Sequence, residues 1–226
     1  MEDSELFSIM SKCFAPVDKD EWDSIVETAV WSEFLDGARR ALQDERPLGR
    51  AGSFFSQARL HCPLQDFLSR GEVNALFCPP TYEEKETFSR RHFVGGLSES
   101  AVPAESLYRE WTAASVESPF PGQTGLYMGD SALYMRDLVK RLGLTIPPEF
   151  SACPDHLALE LDLVAVLLRS GMEQEARVFF AERFAWLTAY RMRLLSVKSD
   201  DASFYIGLVD VLMGIGAVRT PTEQIA

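Results

Sequence analysis

Three histidines occur among 226 residues, and one of them, His156, follows Cys153, Pro154 and Asp155 at the mouth of the apolar run LALELDLVAVLL. A thiol, a carboxylate and an imidazole this close together are the raw material for several chemistries. A cysteine–histidine pair can supply a thiolate nucleophile when a third group orients the ring. Cysteine and histidine are also the usual zinc ligands. A carboxylate at a helix start can face the positive end of the helix dipole, or receive a guanidinium.

Catalysis and metal binding each need more than this. No glycine-framed nucleophile turn is present, and no pair of acids is marked by a substrate pocket. Zinc sites usually show two close ligand pairs, whereas Cys153 and His156 make one, and the adjacent His61 and Cys62 are badly placed to share an ion. Neither an HExxH helix nor a glycine-rich phosphate loop occurs. The expectation is a protein that is not an enzyme and carries no metal and no cofactor. Three of the four cysteines, Cys62, Cys78 and Cys153, precede proline. Cys-Pro is a haem-sensing dipeptide in some regulators, so a small-ligand or haem-responsive regulator stands as the alternative. All three positions also fit helix boundaries.

The elements that must position these groups read as helices. From Asp20 to about Leu42, Trp22, Ile25, Val26, Ala29, Val30 and Phe34 recur at steps of three and four, which lines one helical face. FCPPTYEEKETFSRRHFVGG reads as a proline-marked turn and a helix closing on Gly95 and Gly96. VPAESLYREWTAA is helical in residue type, with Leu107 and Trp111 four apart. The stretch 115–131, with two prolines and three glycines, is a long loop and a possible hinge. Leu133, Tyr134, Leu138 and Leu142 form a stripe that Gly143 stops. Pro154 suits the first position of the next helix, Asp155 its first turn, and Gly171 its end. On it, Leu157, Leu161, Val164 and Leu168 form a core stripe. Asp155, His156, Glu160 and Asp162 leave an acidic strip at its N-terminal end, which would favour the charged histidine. Apolar spacing through Ala176, Phe180, Phe184, Leu187 and Leu194 gives a long helix from Glu173 to Leu195, and ASFYIGLVDVLMGIGAV gives the last. Alternating strand patterns are absent. The fold class is all-α, about ten helices in one globular domain spanning residues 1–226.

Composition narrows the partners. Hydrophobic residues make up 46% and charged residues 25%, ordinary for a globular protein. A net charge of −12 argues against nucleic acid and anionic membrane surfaces and favours a basic partner. The N-terminus MEDSELFSIMSKCF lacks the pattern of a secretory signal, and no apolar run approaches the about 18 residues of a membrane span. The expected location is the cytoplasm, where thiols stay reduced. SRRHFV at 89–94 has the look of a twin-arginine export signal, but it is internal and runs into GGLSES, so Arg90 and Arg91 read as a solvated surface pair.

The residues CPDHLALELDLVAVLL resemble the signature of the TorD/DmsD-like, NarJ-related redox-enzyme maturation chaperones, in which Glu-Pro-x-Asp-His opens a Leu/Glu-rich helix. The match runs from Asp155 onward; Ala152 and Cys153 replace the family's Glu and Pro. LYREWTAA and the proline-rich loop through Tyr127 are similar to the family's Tyr-x-x-Leu-Phe segment and its sequel. FFAERFAWLTAYRMRLL resembles a helix with a His-x-x-Pro-Trp pattern, keeping Trp186, with Arg183 or Phe184 and Ala185 in place of His and Pro. The resemblance implies a non-catalytic, all-helical cytoplasmic chaperone. It would bind the twin-arginine leader peptide, the apo catalytic subunit, or both, of a molybdopterin oxidoreductase, and hold back export until cofactor loading. It also implies a monomer or a domain-swapped dimer, and weak guanine nucleotide binding in some members. A leader offers two guanidinium groups and then an apolar stretch. Asp155, His156, Glu160 and Asp162 would take the first, and Tyr108, Trp111, Phe120, Pro121, Tyr127 and Met128 the second.

Overall fold

The computed structural model describes residues 1–43, 77–109, 125 and 127–219. The Glu5 carboxylate accepts the Glu2 N–H at 3.0 Å and opens α1 (Asp3–Phe14), whose inner face carries Leu6, Phe7, Met10 and Phe14. Asp18 caps α2 (Lys19–Val26) by accepting the Glu21 N–H at 2.8 Å. The single helix expected from Asp20 to Leu42 is broken at Glu27 (φ −49°, ψ 133°), and α3 (Thr28–Gln43) follows. The two tryptophans explain the break. In one straight helix, Trp22 and Trp31 would be half a turn apart and point in opposite directions. With the break, both indoles donate to one short segment, Trp22 Nε1 to the Pro80 carbonyl at 3.0 Å and Trp31 Nε1 to the Phe77 carbonyl at 2.9 Å. That gives the Cys78-Pro79-Pro80 turn a structural purpose.

Thr81 and Glu84 form a capping box that starts α4 (Tyr82–His92). As the sequence suggests, Arg90 and Arg91 lie in solvent, paired with Glu86 and Glu99. A short strap, 97–109, leads away from α4 and contains a 3-10 turn at Glu105–Leu107. Next come α5 (Asp130–Arg141) and α6 (Leu157–Arg169), stopped by Gly143 and Gly171 in the left-handed conformation (φ 71° and 74°). α7 (Glu173–Arg183) continues through the 3-10 turn Phe184–Trp186 into α8 (Leu187–Leu195), and α9 (Ala202–Arg219) ends the described chain. Among the described residues these are nine α-helical segments, or eight separate rods if the run from Glu173 to Leu195 counts once; about ten were expected for the whole chain. No strand occurs among the described residues; one isolated bridge joins Ala104 and His156.

α9 is the centre. Leu208, Val209, Val211, Leu212 and Ile215 are all fully buried on several sides of the helix, and its one buried acid, Asp210, is ion-paired with Arg191. α1 packs along α6, and Ser11 Oγ donates to the Ala158 carbonyl at 2.7 Å between them. Leu157 and Leu161 are sealed in that interface, each contributing about 1.5–3 kcal/mol. None of the described helices is long and apolar enough to cross a membrane. One expected stripe is only half in place, with Leu133 and Leu138 half-buried and Leu138 against the core. α5 buries Ser131, Ala132, Met135 and Val139, whereas Tyr134 and Leu142 are exposed.

Candidate functional site

The start of α6 differs from its expected form. Pro154 and Asp155 lie ahead of the helix in a turn, and His156 is the N-cap, its Nδ1 accepting the Ala158 N–H at 3.2 Å. Asp155 does not sit over the helix dipole. It turns toward the strap, where its Oδ2 accepts the Ser106 N–H at 2.6 Å and its own carbonyl accepts the Glu105 N–H at 3.1 Å. The Leu157 N–H donates to the Pro103 carbonyl at 2.8 Å. The Asp-His pair is thus a clasp between α6 and the strap.

The acidic strip expected on the surface lies inside. Asp155 and Glu160 have no exposure and His156 has 8%. Asp162 alone of the four faces solvent, loosely paired with Arg169 at 3.9 Å. Packing is the reason: α1 covers one flank of α6 and the strap the other, so the stripe of Leu157 and Leu161 cannot be buried without its neighbours. The expected charge on His156 is reversed too. Burial pushes the imidazole down to about 3, and the lone pair that holds Ala158 requires an unprotonated nitrogen.

Around the clasp lies a polar cluster whose long-range partners the sequence reading missed. Glu105, fully buried, is ion-paired with Arg183 across 78 positions of sequence, and with Arg109 at 2.6 Å. The Arg183 guanidinium also lies over the Tyr134 ring, 4.7 Å from its centroid. Trp186 Nε1 donates to Glu160 Oε2 at 3.3 Å. Burial, and then the carboxylate of Glu105, hold Glu160 in its neutral form well above the usual carboxylate range. Tyr108 stacks on Trp186 with centroids 5.6 Å apart and leans on Tyr190 at 5.3 Å. Two signals in the sequence mark this cluster: Glu105 and Arg109 are four apart, and Arg183 is a charge within FFAERFAW.

Tyr127 is 45% exposed, and its hydroxyl lies where a Cβ on Gly95 would be, at 2.1 Å, so that glycine admits the ring. Exposed Val94 and Leu97 flank the same place, and the Tyr127 phenol is near enough to Tyr108 to help raise its pKa, after burial. Met128 takes the left-handed conformation at φ 58° and is half-buried. Trp111, Phe120 and Pro121, with most of the expected hinge loop, lie outside the described residues. So do His61 and Cys62. Burial, and then Asp155, push the Cys153 thiol up to about 11, the opposite of what a thiolate ligand requires. Among the described residues, no three His, Cys, Asp or Glu side chains are grouped to hold a metal.

Residues 83–198 match the model of the family described as nitrate reductase delta subunit. This span contains the strap, the clasp and the polar cluster. Two chaperone proteins called TorD are similar in sequence. That of Shewanella amazonensis is 29% identical over 118 residues, 48% of this chain and 50% of that protein. That of Shewanella piezotolerans is 28% identical over 122 residues, 54% of each. The chain therefore spans about half the length of the relatives it matches.

Proposed function

The chain belongs to the nitrate reductase delta subunit family and is TorD-like, and from that premise we propose that it is a non-catalytic cytoplasmic chaperone for the maturation of a molybdopterin oxidoreductase. It binds the twin-arginine leader, the apo catalytic subunit, or both, and delays export until the cofactor is loaded. The observation that carries this reading is the family match over 83–198, the segment that builds the clasp.

The expected contact residues divide by exposure. Asp155, His156 and Glu160 are buried and hydrogen-bonded within the frame, so none of them makes the first contact with a ligand arriving from solvent. Contact falls to the open side: Tyr127, Val94 and Leu97 for an apolar stretch, Asp162 and the net charge of −12 for cationic residues. Tyr108 forms the floor beside them.

The test is titration calorimetry of the full chain with a synthetic twin-arginine leader, alongside capture of an apo molybdopterin oxidoreductase catalytic subunit. Binding that weakens with salt supports the proposal. Failure to retain any leader or apo subunit, at low salt and micromolar protein, refutes it.

A further inference from the structure

Arg109 is unusual in where it ends. Its side chain is 43% exposed, yet its Nη1 lies 2.6 Å from Oε1 of Glu105, a carboxylate with no exposure at all. The other oxygen of Glu105 belongs to Arg183, which comes from the inside of the molecule. Arg109 therefore reaches from solvent to a buried acid, and among the described residues its guanidinium makes one hydrogen bond, although the group can donate two parallel bonds. Next to Glu105, Asp155 Oδ1, on a side chain with no exposure, and Ser106 Oγ have no partner among the described residues. Buried polar atoms are normally satisfied, so Asp155 can accept an N–H donor beyond the Ser106 amide.

We propose that Arg109 is an internal stand-in for a client arginine, occupying the outer oxygen of Glu105 until a guanidinium from another polypeptide displaces it. This inference rests on the peptide-binding reading above and adds to it a site and a competitor. The exchange keeps the buried charge unchanged, one guanidinium leaving as another enters, so neither Glu105 nor Arg183 is left uncompensated. It also selects for arginine. A lysine ammonium is a single point charge without the planar fork, and it gains little over the contact it would replace. The exposed Tyr127 ring lies near Tyr108, the residue before Arg109 in sequence, and offers an apolar surface to residues following the arginine.

The experiment compares full-length wild type with Arg109→Gln. Two leader peptides are titrated, one with its arginine pair and one with both changed to lysine, and the dipeptide acetyl-Arg-Arg-amide is followed through the Trp186 indole N–H resonance, assigned with Trp186→Phe. Removal of the internal competitor should tighten the arginine leader about fivefold or more and leave the lysine leader unchanged. If Arg109→Gln binds the arginine leader no more tightly than wild type does, the stand-in is overturned while the chaperone reading survives. If neither protein binds the leader but the dipeptide still shifts Trp186, more strongly in the variant, the site stands and the leader-binding reading falls. If neither probe has any effect, both fall. Should Arg109→Gln fail to fold, Arg109→Met, which keeps much of the side-chain length and also removes the competing charge, carries the same comparison with the same deciding outcomes.

Discussion

His156 makes stability depend on acidity in a direction that can be worked out. In the unfolded chain the imidazole titrates near 6.5, and in the folded protein burial pushes it down to about 3. The unfolded state therefore takes up a proton first as the pH falls. The contribution is fully present above about pH 6.5, is lost progressively below it, and reaches about 4–5 kcal/mol once the pH is under both values. At pH 5 the loss is already about 2 kcal/mol, which lowers the melting temperature by roughly 4–8 °C for a chain of this size. Glu160 works the other way: its raised folded value gives stability below the unfolded pKa of about 4.5 that is lost as the pH rises. The wild-type curve mixes both, so the informative quantity is a difference. His156→Asn keeps a side-chain acceptor for Ala158 and removes the titration. Urea unfolding of both proteins at about pH 7.5, 6 and 5 should show the advantage of wild type shrinking by about 2 kcal/mol over that interval. Parallel curves for the two proteins would refute the reasoning, since they require an imidazole that protonates equally well folded and unfolded.

Arg183→Met removes the inner partner of Glu105 and should cost about 3–5 kcal/mol in urea unfolding, and a loss under about 1 kcal/mol would mean that Glu105 is hydrated in solution. Gly207→Ala and Gly214→Ala make an internal control. A Cβ at Gly207 would meet the Phe77 ring at 2.4 and 2.7 Å, so that variant should lose about 1–3 kcal/mol by thermal unfolding. At Gly214 the close atom is the tip of Leu42, which can swing aside. The gain in helix propensity then offsets the crowding, and the two melting temperatures should separate.

Sequence reasoning succeeds where the deciding interaction is local. Gly143 and Gly171 stop their helices because only the left-handed conformation closes those turns, and the run from Glu173 to Leu195 buries the residues its spacing selects. It fails where a distant segment decides. Leu133, Tyr134, Leu138 and Leu142 are as good a stripe on α5 as the one that packs. The choice fell to Ala132, Met135 and Val139, which nothing within the helix dictates. Asp155 looks like a first-turn acid until the Ser106 N–H, 49 positions away, claims it. The charge of His156 was misjudged because neighbouring carboxylates are visible in a sequence and desolvation is not. Half of the candidate site was therefore legible as residues, but little of it as exposure.

The pair of indole clamps on the 77–80 segment has a consequence for how this scaffold can vary. Leu42 rests on Gly214 and Phe77 on Gly207, so the chain leaves and rejoins the central rod at points two helical turns, about 10 Å, apart. Each anchorage can be altered by itself: Gly207→Ala crowds the return at Phe77 and leaves the departure at Leu42 in place, so the two ends of this contact with the rod tolerate change separately.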